Sequence, residues 1–258
     1  MMAERGGRYA LAVELGCGTG RFTPALASAS NRVIATDPSP GMIDFCRQNV
    51  HLSVPGEFRE AAAEDVVLSG VAGRADLVGA FWSLTYPIQS FFALTLTPAG
   101  QIVQRVSNRE ARRKAEAFIE GLTQIRDFSR AIVAIVFTPD SVEQRWITGV
   151  WSSIGPLPGG SRDVAWDLLQ ARGNQLVDEG HTSATECASG NLICPDETEL
   201  KQVFLDHHLR GLLPQGATRK QLEQKLIRDM APYRCPEGYR IPAGFRWLSF
   251  KLNGRAQA

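Results

Sequence analysis

Apolar residues recur in short continuous runs over the first 108 positions, and longer mixed stretches separate them. The runs at 10–15, 32–37, 76–82 and 101–106 are rich in Val, Ile, Leu and Ala and too short for buried helices. They predict buried parallel strands, and 57–60 is a weaker candidate. Residues 20–30, 40–50 and 87–96 space their apolar positions as helices do. Ser39 is placed to cap the second of these, with Pro40 at its first helical position. Alternating strands and helices predict right-handed βαβ units. The fold class is therefore α/β, with a doubly wound, mostly parallel sheet flanked by helices on both faces.

The pattern changes after residue 108. Residues 109–135 read as one long helix or a broken pair, with Asn108 as the cap. The run Ala131-Ile132-Val133-Ala134-Ile135-Val136-Phe137 reads as the buried end of that helix, because the pattern leading into it is helical. Residues 139–180 combine Pro, Gly and Ser with Trp146, Trp151 and Trp166, and read as an insertion. Residues 184–194 predict a strand, and Asp196 to Leu209 an amphipathic helix. Thr218 opens another helix that carries Leu222, Leu226, Ile227 and Met230 on one face. The stretch 239–250 alternates and predicts a final strand.

One turn carries the chemistry. Glu14-Leu15-Gly16-Cys17-Gly18-Thr19-Gly20 ends the first strand in an acid and turns through three glycines into a helix. Glycines let a backbone approach a ligand where a side chain would collide. Asp37 ends the next apolar run and is well placed to accept hydrogen bonds from ribose hydroxyls. A cofactor with a nucleoside half is implied. The dinucleotide pattern G-x-G-x-x-G fails, because its third glycine would fall on Arg21. The phosphate loop fails as well, since no Lys-Ser or Lys-Thr follows the glycines. A carboxylate beside the turn suits an ammonium better than a phosphate.

The E-x-G-x-G-x-G pattern with Asp37 resembles the first motifs of the class I S-adenosylmethionine-dependent methyltransferases. Thr36-Asp37-Pro38-Ser39-Pro40-Gly41-Met42-Ile43 is similar to the family's second strand and following turn, where the position of Met42 packs on adenine. Ala62-Ala63-Glu64-Asp65-Val66 resembles the loop after the third strand, which also meets the adenine. Many relatives carry Asp where Ala62 stands, which leaves the Ala63 backbone and Glu64 as the contacts. Asp76 to Ser83 looks like the fourth strand, whose end faces the sulfonium and the acceptor. The resemblance covers residues 10–108 or so.

It implies a Rossmann-like methyltransferase fold of seven strands. Residues 1–258 would form a single domain, with 109–183 a helical insertion between the fifth and sixth strands that caps the acceptor pocket. The stretch 239–250 looks like the family's last, antiparallel strand. The cofactor would be S-adenosyl-L-methionine, held by Glu14, Gly16, Cys17, Gly18, Gly20, Asp37, Pro38, Met42, Ala63, Glu64 and Phe81. Family members generally place helices before the first strand. Only nine residues precede Ala10 here, so another segment supplies the lid, or a partner chain does, or the true start was lost.

Trp82, Tyr86, Trp146 and Trp151 are the candidate acceptor-binding residues, because aromatic faces favour a sulfonium and line pockets. His207, His208 and His181 are the candidates for a general base, should the acceptor be a hydroxyl. An amine, carboxylate or phenolate needs none. The expected reaction is in-line methyl transfer to a small molecule or short peptide. RNA is the alternative acceptor, since residues from 210 onward carry ten Lys/Arg against three Asp/Glu. A non-catalytic scaffold or partner subunit is the third reading, prompted by the short start and Ala62.

Composition narrows the setting. The chain has 258 residues, 44% of them hydrophobic, and a net charge of +1, which suits one globular α/β unit with some elaboration. No apolar stretch reaches membrane-spanning length, and the start lacks a signal core. Five dispersed cysteines without C-x-x-C pairs read as reduced thiols of a cytoplasmic protein, with no metal site expected. A homodimer is compatible with this.

Overall fold

The computed structural model describes residues 8–92, 94–96, 102–104, 106–124, 130–137, 141–154, 162–207 and 217–253. The chain begins with β1 (Ala12–Leu15), α1 (Thr23–Ala29), β2 (Val33–Asp37), α2 (Pro40–Asn49), β3 (Gly56–Glu60) and α3 (Ala63–Leu68). Then come β4 (Leu77–Phe81), α4 (Thr85–Phe91), β5 (Leu94–Leu96), β6 (Ile102–Gln104), α5 (Asn108–Thr123) and β7 (Arg130–Phe137). The remainder holds α6 (Val142–Ile154), α7 (Arg162–Asp178), β8 (Thr182–Cys194), α8 (Glu197–Lys201), α9 (Ala217–Met230), β9 (Arg234–Cys235) and β10 (Gly238–Asn253).

β1 and β2 are buried along their whole length, as a strand covered on both faces must be. Parallel pairing joins β1 to β2 and β4, β2 to β3, and β4 to β7. The sheet runs β3-β2-β1-β4-β7-β10-β8, with β9 paired antiparallel to β10 off that path. The strand order reverses between β1 and β4. In open α/β sheets the ligand crevice lies at such a reversal, beyond the carboxyl ends of the strands.

The described residues fall into two compact units. The first comprises 1–137, 158–186 and 247–258, and the second 138–157 and 187–246. In the first, α5 buries Ala111, Ala115, Phe118, Ile119 and Leu122 on one helical stripe. That stripe packs among α3, α4 and α7 over a core that includes Val13, Leu15 and Val78. The second has its own core of Trp146, Ile147, Val150, Leu200, Phe204 and Leu226 with their neighbours. This grouping differs from the expected 109–183 segment: α5 and α7 belong with the sheet, and only α6 from that range joins the second unit. Among the described residues no helix is long and apolar enough to cross a membrane.

Four sequence expectations are corrected. Residues 131–137 are strand β7, not a helix end, and pair with β4 from Leu77↔Ile132 to Phe81↔Val136. The β-branched run settles its state, because Ile and Val lose side-chain freedom in a helix but pack well on a sheet. The stretch 101–106 does not join the main sheet. Its Ile102–Gln104 pairs antiparallel with Leu94–Leu96, so the helix expected to 96 ends at Phe91. Ser107, not Asn108, caps α5, its side chain accepting from the Glu110 amide. The helix expected over 196–209 is α-helical only to Lys201 and continues as a π turn over Gln202–His207. The wider turn fits the consecutive, fully buried Phe204 and Leu205.

Candidate functional site

β1 ends at Leu15, and the chain reverses through Gly16, Gly18 and Gly20, whose φ angles are 71°, 53° and 76°. Left-handed backbone at three alternate positions is cheap only for glycine. The three glycines have different surroundings. A Cβ at Gly16 would lie 2.4 Å from the Ser83 Cβ, and one at Gly20 would lie 2.7 Å from the Val50 Cγ2. A Cβ at Gly18 would meet nothing within 4 Å. Gly16 is therefore the point where the β1 loop touches the β4 loop, and the Ser83 hydroxyl donates to the Leu15 carbonyl there. Gly18 faces open space.

Asp37 closes the other side. Its Oδ2 accepts from the Gly18 amide at 2.9 Å, and its Oδ1 accepts from the Ser39 amide at 2.9 Å. Each carboxylate oxygen accepts more than one hydrogen bond, so capacity for ligand hydroxyls remains. The Ala61 amide donates to the Asp37 carbonyl at 3.1 Å, which draws the β3 loop to the same edge. Cys17 and Cys46 are both buried, and both thiols lie over the Gly18 carbonyl, at 3.8 Å and 3.2 Å. Burial first, then neighbouring acids, raises the Cys17 thiol far above its ordinary range. Burial and a raised pKa disfavour the thiolate form of Cys17.

Glu14 is 1% exposed. The Thr23 hydroxyl donates to its Oε2 at 2.5 Å, and the Thr36 hydroxyl donates to its backbone carbonyl at 2.8 Å. Burial raises its pKa to about 7, the Thr23 hydrogen bond opposing and the Asp37 charge adding to the rise. No Lys, Arg or His pairs with Glu14 among the described residues. A buried acid without a cation is held toward its neutral form by desolvation.

The remaining residues sort cleanly. Pro38 and Met42 are exposed at the entry to α2, which Ser39 caps by accepting from the Met42 amide. Ala63 and Glu64 open α3, and the Glu64 carboxylate accepts from the Ser90 hydroxyl at 3.2 Å. Phe81 ends β4, followed by Trp82 in the left-handed region at φ 55°. Tyr86 lies exposed on α4. Trp146 is corrected as an acceptor contact: it sits in the core of the second unit, edge-on to Phe204, with its indole nitrogen donating to Asp229 at 2.9 Å. Trp151 lies on α6, with its side chain outside the described residues, as is that of His207 in the π turn; His208 is outside them entirely. His181 is half-buried in the turn from α7 to β8, its amide donating to the Leu176 carbonyl at 2.8 Å. Among the described residues no cluster of His, Cys, Asp or Glu is placed to hold a metal ion.

Residues 12–94 match a family model described as a methyltransferase domain. Over that stretch, about a third of the chain, the sequence is similar to that domain. No curated protein sequence matches the chain. Among solved structures, a methyltransferase from an antibiotic biosynthesis pathway of Anabaena variabilis is similar at 15% identity. The match covers 95% of this chain and 92% of that one, with a TM-score of 0.50. A methyltransferase of Bacillus halodurans C-125 is similar at 11% identity, over 99% and 96% of the two chains, with a TM-score of 0.49. NodS, an N-methyltransferase from Bradyrhizobium japonicum WM9 in complex with S-adenosyl-L-homocysteine, is similar at 14% identity over 97% and 80%, with a TM-score of 0.44.

Sequence reasoning missed several residues that shape the candidate site. Thr23 and Thr36 fasten Glu14, and no sequence signal marks them. Phe22 and Trp247 join Phe81 and Trp82 in one aromatic group. Phe22 stands two residues past the last glycine and was findable. Trp247, on the far strand β10, was not.

Proposed function

We propose that the protein transfers the methyl group of S-adenosyl-L-methionine to a small-molecule or short-peptide acceptor. The observation that carries this reading is the pairing of two acids across the glycine turn. Asp37 faces the Gly18 amide with hydrogen-bonding capacity to spare, and Glu14 waits buried without a cation. These fit the two polar ends of the cofactor, ribose hydroxyls at Asp37 and the methionine ammonium at Glu14. Gly18 supports the fit, because a Cβ there would point into open space, which lets a ligand approach the backbone of the turn. Met42, exposed at the first turn of α2, is suited to pack on the adenine with Pro38, Ala63 and Glu64 around it.

The bound cofactor supplies an electrophilic methyl carbon on a sulfonium, and the acceptor's bond to that carbon forms as the carbon–sulfur bond breaks, its electron pair leaving on sulfur. The chain's own residues bind, align and exclude water. Alignment alone is worth about 7–11 kcal/mol in well-oriented systems. Glu14 and Asp37 fix the two ends of the donor, and the ring of Phe81 at the end of β4 favours a nearby cation. The proposed reaction uses an acceptor that needs no protein base. Five free cysteines fit a reducing, cytoplasmic setting.

Calorimetric titration with S-adenosyl-L-methionine and S-adenosyl-L-homocysteine tests the reading. The expected result is saturable binding that Asp37→Asn weakens at least tenfold, about 1.4 kcal/mol, with a lower melting temperature because the new amide nitrogen cannot accept from the Gly18 or Ser39 amide. No heat and no thermal shift at millimolar ligand would overturn it.

A further inference from the structure

Four aromatic rings run in a chain beside the glycine turn in the first unit, with the Phe81 ring also packing on the core at Leu26 and Leu77. Phe22 opens α1 directly after the glycine turn. Its ring lies 4.9 Å from that of Phe81 and 5.4 Å from that of Trp82. Phe81 in turn lies 6.3 Å from Trp247 on β10. All the interplanar angles are between 31° and 37°, so the faces are tilted and not edge-on. Such a stack presents one broad apolar face, and Trp82 is left 40% exposed on it.

Two further observations set this wall apart from ordinary core. Trp82 holds a φ of 55°, a conformation that costs a bulky residue of order 1–3 kcal/mol and clusters at ligand clamps. That cost turns the indole onto Phe22 at the end of β4. The second observation is Arg21. Its guanidinium stands 5.6 Å from the centre of the Phe22 ring. No carboxylate pairs with Arg21 among the described residues. The wall therefore consists of apolar rings with one cation at its rim, beside the glycine turn.

We propose that the acceptor is a planar aromatic anion, a phenolate or aryl carboxylate, whose ring lies on Phe22 and Trp82 and whose charge is met by Arg21. This rests on the methyltransferase reading above and names the substrate class of that site. The chemistry balances without a base. The acceptor oxygen arrives already deprotonated, forms an ether or ester with the methyl carbon, and loses its negative charge as sulfur loses its positive one. Arg21 favours the ionised acceptor, and the rings exclude water from it. An aliphatic ammonium has the wrong charge for Arg21, and its nitrogen would first have to lose a proton.

The test loads the protein with S-adenosyl-L-homocysteine and titrates ring-matched ligands against tryptophan fluorescence. The probes are 4-hydroxybenzoate and 4-hydroxycinnamate, the methyl ester of each, cyclohexanecarboxylate, and benzylamine. Methyl transfer from labelled S-adenosyl-L-methionine to the same compounds is followed in parallel. The expected order is aromatic acid, then neutral aromatic, then cyclohexanecarboxylate and benzylamine. Arg21→Gln is expected to weaken the aromatic acids at least tenfold and their neutral esters less than twofold. Trp82→Ala is expected to weaken both aromatic sets, and Trp82→Phe to restore most of that loss. Equal binding of cyclohexanecarboxylate, preference for benzylamine, or no aromatic ligand bound at all would each overturn the proposal. Binding of S-adenosyl-L-homocysteine in the first step keeps that failure separate from failure of the methyltransferase reading, which would show as no cofactor binding.

Discussion

Glu14 sits buried between a hydroxyl and a second acid, and the free protein is less stable for it. Its pKa stands near 7 in the fold against 4.5 for an ordinary glutamate. The folded value is the higher one, so the contribution to stability is full below pH 4.5 and is lost as pH rises through 7. At pH 8 the ionised group costs the fold about 3 kcal/mol. Glu14→Gln should therefore stabilise the free protein by about 2–3 kcal/mol at pH 8 and by little at pH 4.5, read from urea unfolding at the two pH values. A stability gain that is the same at both values would refute the placement of this charge. The same substitution should weaken S-adenosyl-L-methionine binding at least tenfold, because the ammonium then loses its partner. Binding should also release protons below pH 7, as the captured cation draws Glu14 into its ionised form. Calorimetry in two buffers of different ionisation enthalpy measures that release directly, and parent heats that match between buffers at pH 6 would argue against it. The glycine turn, Glu14 and Asp37 were all readable from sequence, since an acid and three glycines at fixed spacing have few other uses. Thr23 and Thr36, which hold Glu14 from a neighbouring helix and strand, were not: two threonines in apolar surroundings read as ordinary filler.

The glycine turn is where element-level geometry separates folding from binding. Gly16→Ala would place a methyl carbon 2.4 Å from the Ser83 Cβ in addition to the strain at φ 71°. Overpacking and left-handed strain together should cost roughly 2–5 kcal/mol. Gly18→Ala meets no neighbour, so it should cost only about 1–2 kcal/mol of backbone strain. Its new methyl group would stand in the open space over the turn that the cofactor is proposed to fill, and cofactor affinity should fall at least tenfold. Thermal melts with and without S-adenosyl-L-methionine distinguish the two, and a Gly18→Ala protein that binds as the parent does would remove Gly18 from the site. The same scale shows where sequence reading reached its limit. β1, β2 and β4 are short apolar runs bounded by turns, and each was found within a residue or two of its ends. β7 was missed because seven consecutive apolar residues have no period, and only pairing with β4 reveals the strand. The β5–β6 hairpin was missed for the opposite reason: Ile102–Gln104 has strand character, but nothing local says which sheet it joins.

Charge is the property that only the whole molecule explains. The last 49 residues carry an excess of seven positive charges, which from sequence favours a polyanion as strongly as a small acceptor. The structure neutralises part of that excess in local ion pairs. Arg219 pairs with Asp206 at 2.8 Å and with Glu223 at 2.9 Å, and Lys225 pairs with Asp229. Asp229 also accepts from the Trp146 indole. Burial alone would raise the Asp229 pKa, but the hydrogen bonds from Lys225 and Trp146 hold it below its ordinary value. Its stabilising effect is thus present above the unfolded carboxylate pKa and lost as pH falls through the folded one. These are solvent-facing ion pairs that offset part of the positive charge where it arises. Phosphate contacts give affinities that fall steeply with salt, by about 10³–10⁵ between 50 and 200 mM for 6–10 contacts. The protein should show no such dependence: filter binding to total cellular RNA is expected to stay at background at 50 mM salt as well as at 200 mM. Retention at 50 mM that disappears by 200 mM would restore RNA as the acceptor. Asp229→Ala sharpens the comparison, because it releases Lys225 and unpairs the Trp146 indole. That variant should lose about 2–3 kcal/mol of stability, and any weak RNA retention it gains would come from the lysine it frees.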